Sequence, residues 1–136
     1  MAANTSPIFV GTPILPQVRI AAANVGLDGS GTPGTDIYTL FTSGANGSFF
    51  KGFRYKAEVT TTAGMIRLFV QKGGAGNIEL LQEMTVAAVV ASATVPAADG
   101  EYLPANGIAL EAGDVVWVTT ENAETFSCWL IGGGDY

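Results

Sequence analysis

The chain has 136 residues, 48% apolar and 13% charged, with 18 glycines, which excludes a wholly disordered chain and suits one domain. Six Lys and Arg against twelve Asp and Glu give a net charge of -6, a poor grip on a nucleic-acid backbone, whose phosphates must be neutralised. With no His and a lone Cys128, an internal disulfide is excluded, as are zinc and haem sites built on His or Cys pairs and Ser-His-Asp or Cys-His catalysis within one chain.

The chain opens without a basic stretch followed by an apolar core, so no secretory signal is expected. No apolar run reaches the roughly 20 residues of a membrane helix. Synthesis in a cytosol and no membrane partner are the expectation. Pro7, Pro13, Pro16 and Pro33, with Gly11, Gly26, Gly29, Gly31 and Gly34, interrupt the first 35 residues. Ile8–Val10 and Val18–Ala23 read as short strands and Gly26–Thr35 as a flexible loop. Residues 1–16 read as an arm laid on the domain or on a neighbouring subunit, or as a disordered tail. Residues 17–136 read as a single domain.

From Asp36 the strand signal strengthens. Ile37–Thr42 is β-branched and aromatic and ends at an Asn46-Gly47 turn. Phe49–Thr62 is the clearest alternation, with Phe53, Tyr55, Ala57 and Val59 on one face and Arg54, Lys56, Glu58 and Thr60 on the other. Met65–Lys72 follows, with Ile66, Leu68 and Val70 inward and Arg67 and Gln71 outward. Ile78–Met84 is a further strand, and the valines of Thr85–Val95 favour an interrupted strand over a helix. Ala97–Gly100 reads as a turn and Ile108–Leu110 as a short strand. Val115–Thr120 and Phe126–Ile131 read as a hairpin around Glu121–Glu124, and Gly132–Tyr136 as a loose tail. About eight strands without a convincing helix argue for an antiparallel sandwich or barrel, not a parallel α/β fold.

Asp99, Glu101, Glu111 and Asp114 gather in one segment, and paired carboxylates serve glycoside hydrolysis or calcium binding. They lie at turns without a ligand series, so solvated loop carboxylates are the better reading. Trp117 and Trp129 suit a sugar or base platform, or core and subunit packing; packing is the better reading. Val115 and Trp117 oppose Val116 and Val118, and Ser127, Trp129 and Ile131 oppose Phe126, Cys128 and Leu130. Both strands are apolar on both faces, and coverage by an arm or another chain is the better reading over simple surface apolarity. Cys128 reads as a small buried hydrophobe. Arg54, Lys56, Arg67 and Lys72 read as a solvated face. The glycine runs lack the G-K-[ST] ending of a phosphate loop.

Ala3–Phe9 with Gly11-Thr12-Pro13, Phe41–Ser48, Thr61–Phe69 and Leu110–Asp114 through Glu121–Glu124 resemble small structural proteins of tailed bacteriophages, among them capsid decoration (cement) proteins. The resemblance implies a jelly-roll-like β-sandwich and trimeric assembly, and it supplies no catalytic residues to carry over. The function expected from it is decoration of a capsid's outer surface by bridging capsomers, with the major capsid protein as partner, no enzyme activity and no cofactor. Ser6, Pro7, Ile8, Phe9, Val10, Pro13, Ile14, Leu15, Pro16 and Gln17 would form the docking arm. Trp117, Trp129 and Ile131 would pack subunits together in a homotrimer. The rival readings are a tail or fibre module binding host surface glycans and a small carbohydrate-active enzyme.

Overall fold

The computed structural model describes residues 10–136, which carry twelve strands and one 3-10 turn, Lys72–Gly74. The strands are β1 (Thr12–Ile14), β2 (Gln17–Ile20), β3 (Tyr38–Thr42), β4 (Ser48–Phe50), β5 (Gly52–Ala57) and β6 (Gly64–Gln71). They continue with β7 (Ile78–Val86), β8 (Asp99–Tyr102), β9 (Ile108–Leu110), β10 (Val115–Thr120), β11 (Phe126–Ile131) and β12 (Gly133–Asp135). They form three four-stranded antiparallel sheets ordered β1-β12-β4-β9, β2-β11-β5-β8 and β3-β10-β6-β7.

The first two sheets run on into each other. β1 continues into β2 through Leu15 and Pro16, β4 into β5 through Lys51, β11 into β12 through Gly132, and β8 into β9 through 103–107. The order of strands is kept across the break. At the break the Lys51 backbone N–H donates to the carbonyls of Ile131 and Gly132, at 2.9 and 3.2 Å. Strands beyond the expected eight or so arise at this line, where one alternating run is cut in two.

Alternation places one side-chain row of each sheet in a shared core. Phe50 and Ile108 come from the first sheet, Ile20, Phe53, Phe126, Cys128 and Leu130 from the second, and Ile66, Leu68, Val116 and Val118 from the third. Edge-to-face ring pairs join Phe41 to Phe50 at 5.0 Å and Tyr55 to Phe126 at 5.9 Å. Burial lifts the Cys128 thiol far above its ordinary range, which leaves it an inert core residue.

Several sequence expectations are corrected. Phe49–Thr62 is not one strand: it breaks at Lys51 and leaves the sheet after Ala57, with Val59 exposed. Thr85–Val95 leaves its sheet after Val86, and beyond it only Val89 pairs, with Thr61. Ala97–Gly100 is not simply a turn, because Asp99 and Gly100 open β8. Val115–Thr120 and Phe126–Ile131 are not a hairpin. β10 is flanked by β3 and β6 and β11 by β2 and β5, so the connection between them crosses from one sheet to another. Gly132–Tyr136 is not loose, since β12 lies between β1 and β4. A β-carbon on Gly133 or Gly134 would fall 1.7 Å from the Phe49 carbonyl oxygen or 2.0 Å from that of Thr12. Only glycine lets the three backbones lie this close.

Candidate functional site

The outer face of the β2-β11-β5-β8 sheet is built by the alternation that fills the core. On β11, Phe126, Cys128 and Leu130 are buried, so Ser127, Trp129 and Ile131 point away from them and are half-buried. Trp129 pairs with Gln17 of β2 and Arg54 of β5. The Leu130 N–H donates to the Pro16 carbonyl at 3.1 Å. This bond fixes the corner that carries Leu15, which is 59% exposed. Leu15, Trp129 and Ile131, with Arg54, Lys56 and Ser127, line an open groove of about 510 Å³.

Ion pairs rim this groove. Arg54 reaches Asp99 at 3.0 Å and Glu101 at 2.9 Å, and Lys56 donates to the Ala97 carbonyl at 2.8 Å. On the β2 side Arg19 meets Glu58 at 3.1 Å, and the Ser127 hydroxyl donates to the same carboxylate at 2.6 Å. The Ser127 bond first, and Arg19 second, hold the Glu58 carboxyl below its ordinary range. Three bases and three acids therefore balance on this face. Of the six basic and twelve acidic residues in the chain, three and nine lie elsewhere, so the whole net charge of -6 belongs to other surfaces.

The opposite outer face, on β3-β10-β6-β7, is covered by the chain itself. Phe69, Thr119 and Val115 are buried there, and Trp117 is half-buried with its Nε1 donating to the Gln71 side chain at 3.2 Å. The segment between β2 and β3 lies over them. Ala23 bridges Thr120, Gly29 abuts Ile78 with φ +72, and Ile37 is buried. This segment is not the flexible loop the sequence suggests. Asn24 donates to the Ser30 carbonyl, Asp28 accepts from the Ser30 N–H and Asp36 from the Thr32 N–H. The Tyr38 hydroxyl donates to the Thr35 carbonyl and accepts from Ala21 and Ala22. Arg67 does not face solvent as expected: it is 7% exposed and pairs with Glu83 at 2.9 Å.

Trp129 and Ile131 thus share one surface, whereas Trp117 lies on another sheet. Of the expected arm, Ser6, Pro7, Ile8 and Phe9 lie outside the described residues. Val10 precedes β1; Pro13 and Ile14 pair with Gly134 and Gly133, and Gln17 opens β2. Leu15, expected in the docking arm, lies instead beside Trp129 and Ile131, and Arg54, Lys56 and Ser127 were not assigned to a site from sequence. The polar face of β5 was legible, but only the β5-β11 register brings it beside Trp129.

The four carboxylates divide into two structural pairs. Asp99 and Glu101 clamp Arg54. Asp114 is 1% exposed and accepts from Lys72 Nζ at 2.5 Å and from the Gly73 and Glu111 N–H groups at 2.9 Å. Burial pushes the Asp114 carboxyl up, but the Lys72 bond and the two backbone donors outweigh it and hold it below its ordinary range. Among the described residues no three His, Cys, Asp or Glu side chains are grouped to hold a metal ion.

No family model, curated protein or solved structure matches the chain.

Proposed function

We propose that this chain is a structural virion protein that decorates a bacteriophage capsid and stabilises it by bridging capsomers. The observation that carries the reading is the strand order. Taking each pair joined across the break as one strand leaves eight strands in two sheets, β1/β2–β11/β12–β4/β5–β8/β9 and β3–β10–β6–β7. That order fits a jelly-roll sandwich, an architecture used by viral capsid and lectin domains. The neutral groove around Trp129 supports a homotrimer with the major capsid protein as its outer partner. The assembly would sit on the outer surface of the capsid, with the docking arm confined to the residues ahead of β1, since Thr12–Ile14 and Gln17 pair within the domain.

A glycan-binding tail or fibre module is the second reading, favoured by the half-exposed Trp129 beside Ser127 and Arg54. A carbohydrate-active enzyme has less support, because Asp99 and Glu101 are engaged by Arg54 and Asp114 by Lys72. The test is co-sedimentation of the purified chain with capsids, followed by a particle map. Density on capsomer junctions is the expected result. Density confined to the tail, with glycan-array binding, would favour the second reading.

A further inference from the structure

The two outer faces solve one problem in different ways. β10 and β11 are both apolar on both sides, yet the outward row of β10 is covered by residues 21–37, whereas among the described residues no segment covers that of β11. That row, Trp129 and Ile131 with Leu15, also occupies a face on which three bases and three acids cancel. Another depression, at Leu27, Ile78 and Leu80, includes Asp28 and Glu79 and no basic residue, so two copies would repel each other there. At the groove they would not.

The groove face is also polarised. Its β2 edge carries Arg19, whose side chain is 71% exposed against 32% for its partner Glu58, and its β8 edge carries Asp99 and Glu101, at 49% and 41% against 38% for their partner Arg54. β11 and β5 lie between these edges. A copy turned so that its β2 edge meets the β8 edge of the first sets Arg19 against the two acids while the apolar rows meet in the middle. Such an arrangement is self-complementary in sign and in hydrophobicity, and its apolar centre with a charged rim is the ordinary anatomy of an interface.

We infer that the outer face of β2-β11-β5-β8 is a homotypic interface whose occupant is a second copy of this chain. Leu15, Trp129 and Ile131 form its centre, and Arg19 of one copy meets Asp99 and Glu101 of the next. The inference rests on the homo-oligomer proposed above and adds which face makes it. The test compares the native mass of the full chain with that of Ile131→Asp, Trp129→Ala, Arg19→Glu, Asp99→Lys and the combined Arg19→Glu/Asp99→Lys variant. Circular dichroism serves as the folding control.

Wild-type protein should be oligomeric. Ile131→Asp and Trp129→Ala should weaken association on the order of tenfold or more, as loss of a central anchor does. Each charge reversal should weaken it less, and their combination should restore it. If Ile131→Asp does not fold, Trp129→Ala and the charge exchange carry the test. An oligomeric wild type whose variants associate undiminished overturns the face and leaves the homo-oligomer standing. A monomeric wild type overturns both. Variants that stay oligomeric but no longer co-sediment with capsids assign the face to the capsid, which also overturns the inference.

Discussion

Thr119 lies directly opposite Arg67 across β10 and β6, and each keeps a buried polar atom, Oγ1 and Nη1, without a hydrogen-bond partner. Both lie on the side-chain row covered by residues 21–37. An unsatisfied buried polar group costs about 1–3 kcal/mol. Thr119→Val keeps the shape and removes one of the two atoms, so it should leave stability unchanged or raise it by about 1 kcal/mol. Urea unfolding reads this directly. A loss of more than that amount would mean that the hydroxyl is satisfied in solution.

Gly134 should tolerate no side chain. The Thr12 carbonyl oxygen would lie 2.0 Å from its β-carbon, and backbone cannot yield as a flexible side chain does. Gly134→Ala should cost at least about 2 kcal/mol, within the range of overpacked cores, and should release β1 from β12. Equilibrium unfolding gives the cost, and hydrogen exchange at Ile14 and Asp135 shows whether the sheet opens. Wild-type exchange there would refute the close packing.

Asp114 should give the fold an acid-sensitive component. Its carboxyl is held below the ordinary value of 3.8 in the folded chain. The stabilisation is therefore complete above pH 3.8 and is lost as pH falls below it, through the lower folded value. Asp114→Asn should cost about 2 kcal/mol at neutral pH through its charge-assisted bonds and flatten stability against pH in that acid window. A variant whose acid limb matches wild type would refute this role.

Removal of residues 1–11 should separate attachment from folding. The cut leaves β1 in place on β12, so thermal unfolding should stay near wild type while co-sedimentation with capsids is lost. Removal of residues 1–16 should in addition destabilise the domain, because β12 then loses a neighbour. Retained capsid binding by the shorter deletion would refute the docking arm.

What the sequence revealed, and what it hid, follows from where each strand finds its partners. β5 was legible because Phe53, Tyr55 and Ala57 alternate with Arg54 and Lys56, and a half-buried strand imposes that period. β12 was not, because Gly-Gly-Asp has no side-chain pattern and is a strand only through the backbones of β1 and β4. The short link after Thr120 looked like a hairpin turn, yet β10 already has β3 and β6 on its two sides. At the site, the doubly apolar rows of β10 and β11 were readable. Which row the chain covers itself was not, because that depends on a segment nearly a hundred residues earlier. Gln17, two residues after Leu15, and Arg54 meet Trp129 through pairings that also span distant parts of the chain.

Of the pairings among these strands, only β6 with β7 joins neighbours in chain order. A topology so dominated by distant partners folds slowly, on the order of milliseconds to seconds. β12 follows every other strand in the chain, yet it fills an inner place between β1 and β4. On the ribosome, β1 and β4 must wait for it with their facing backbones unpaired. Closure of that sheet therefore waits until β12 has been made, and a nascent chain halted at Ile131 would be marked by the open edges that quality-control proteases and aggregation both recognise.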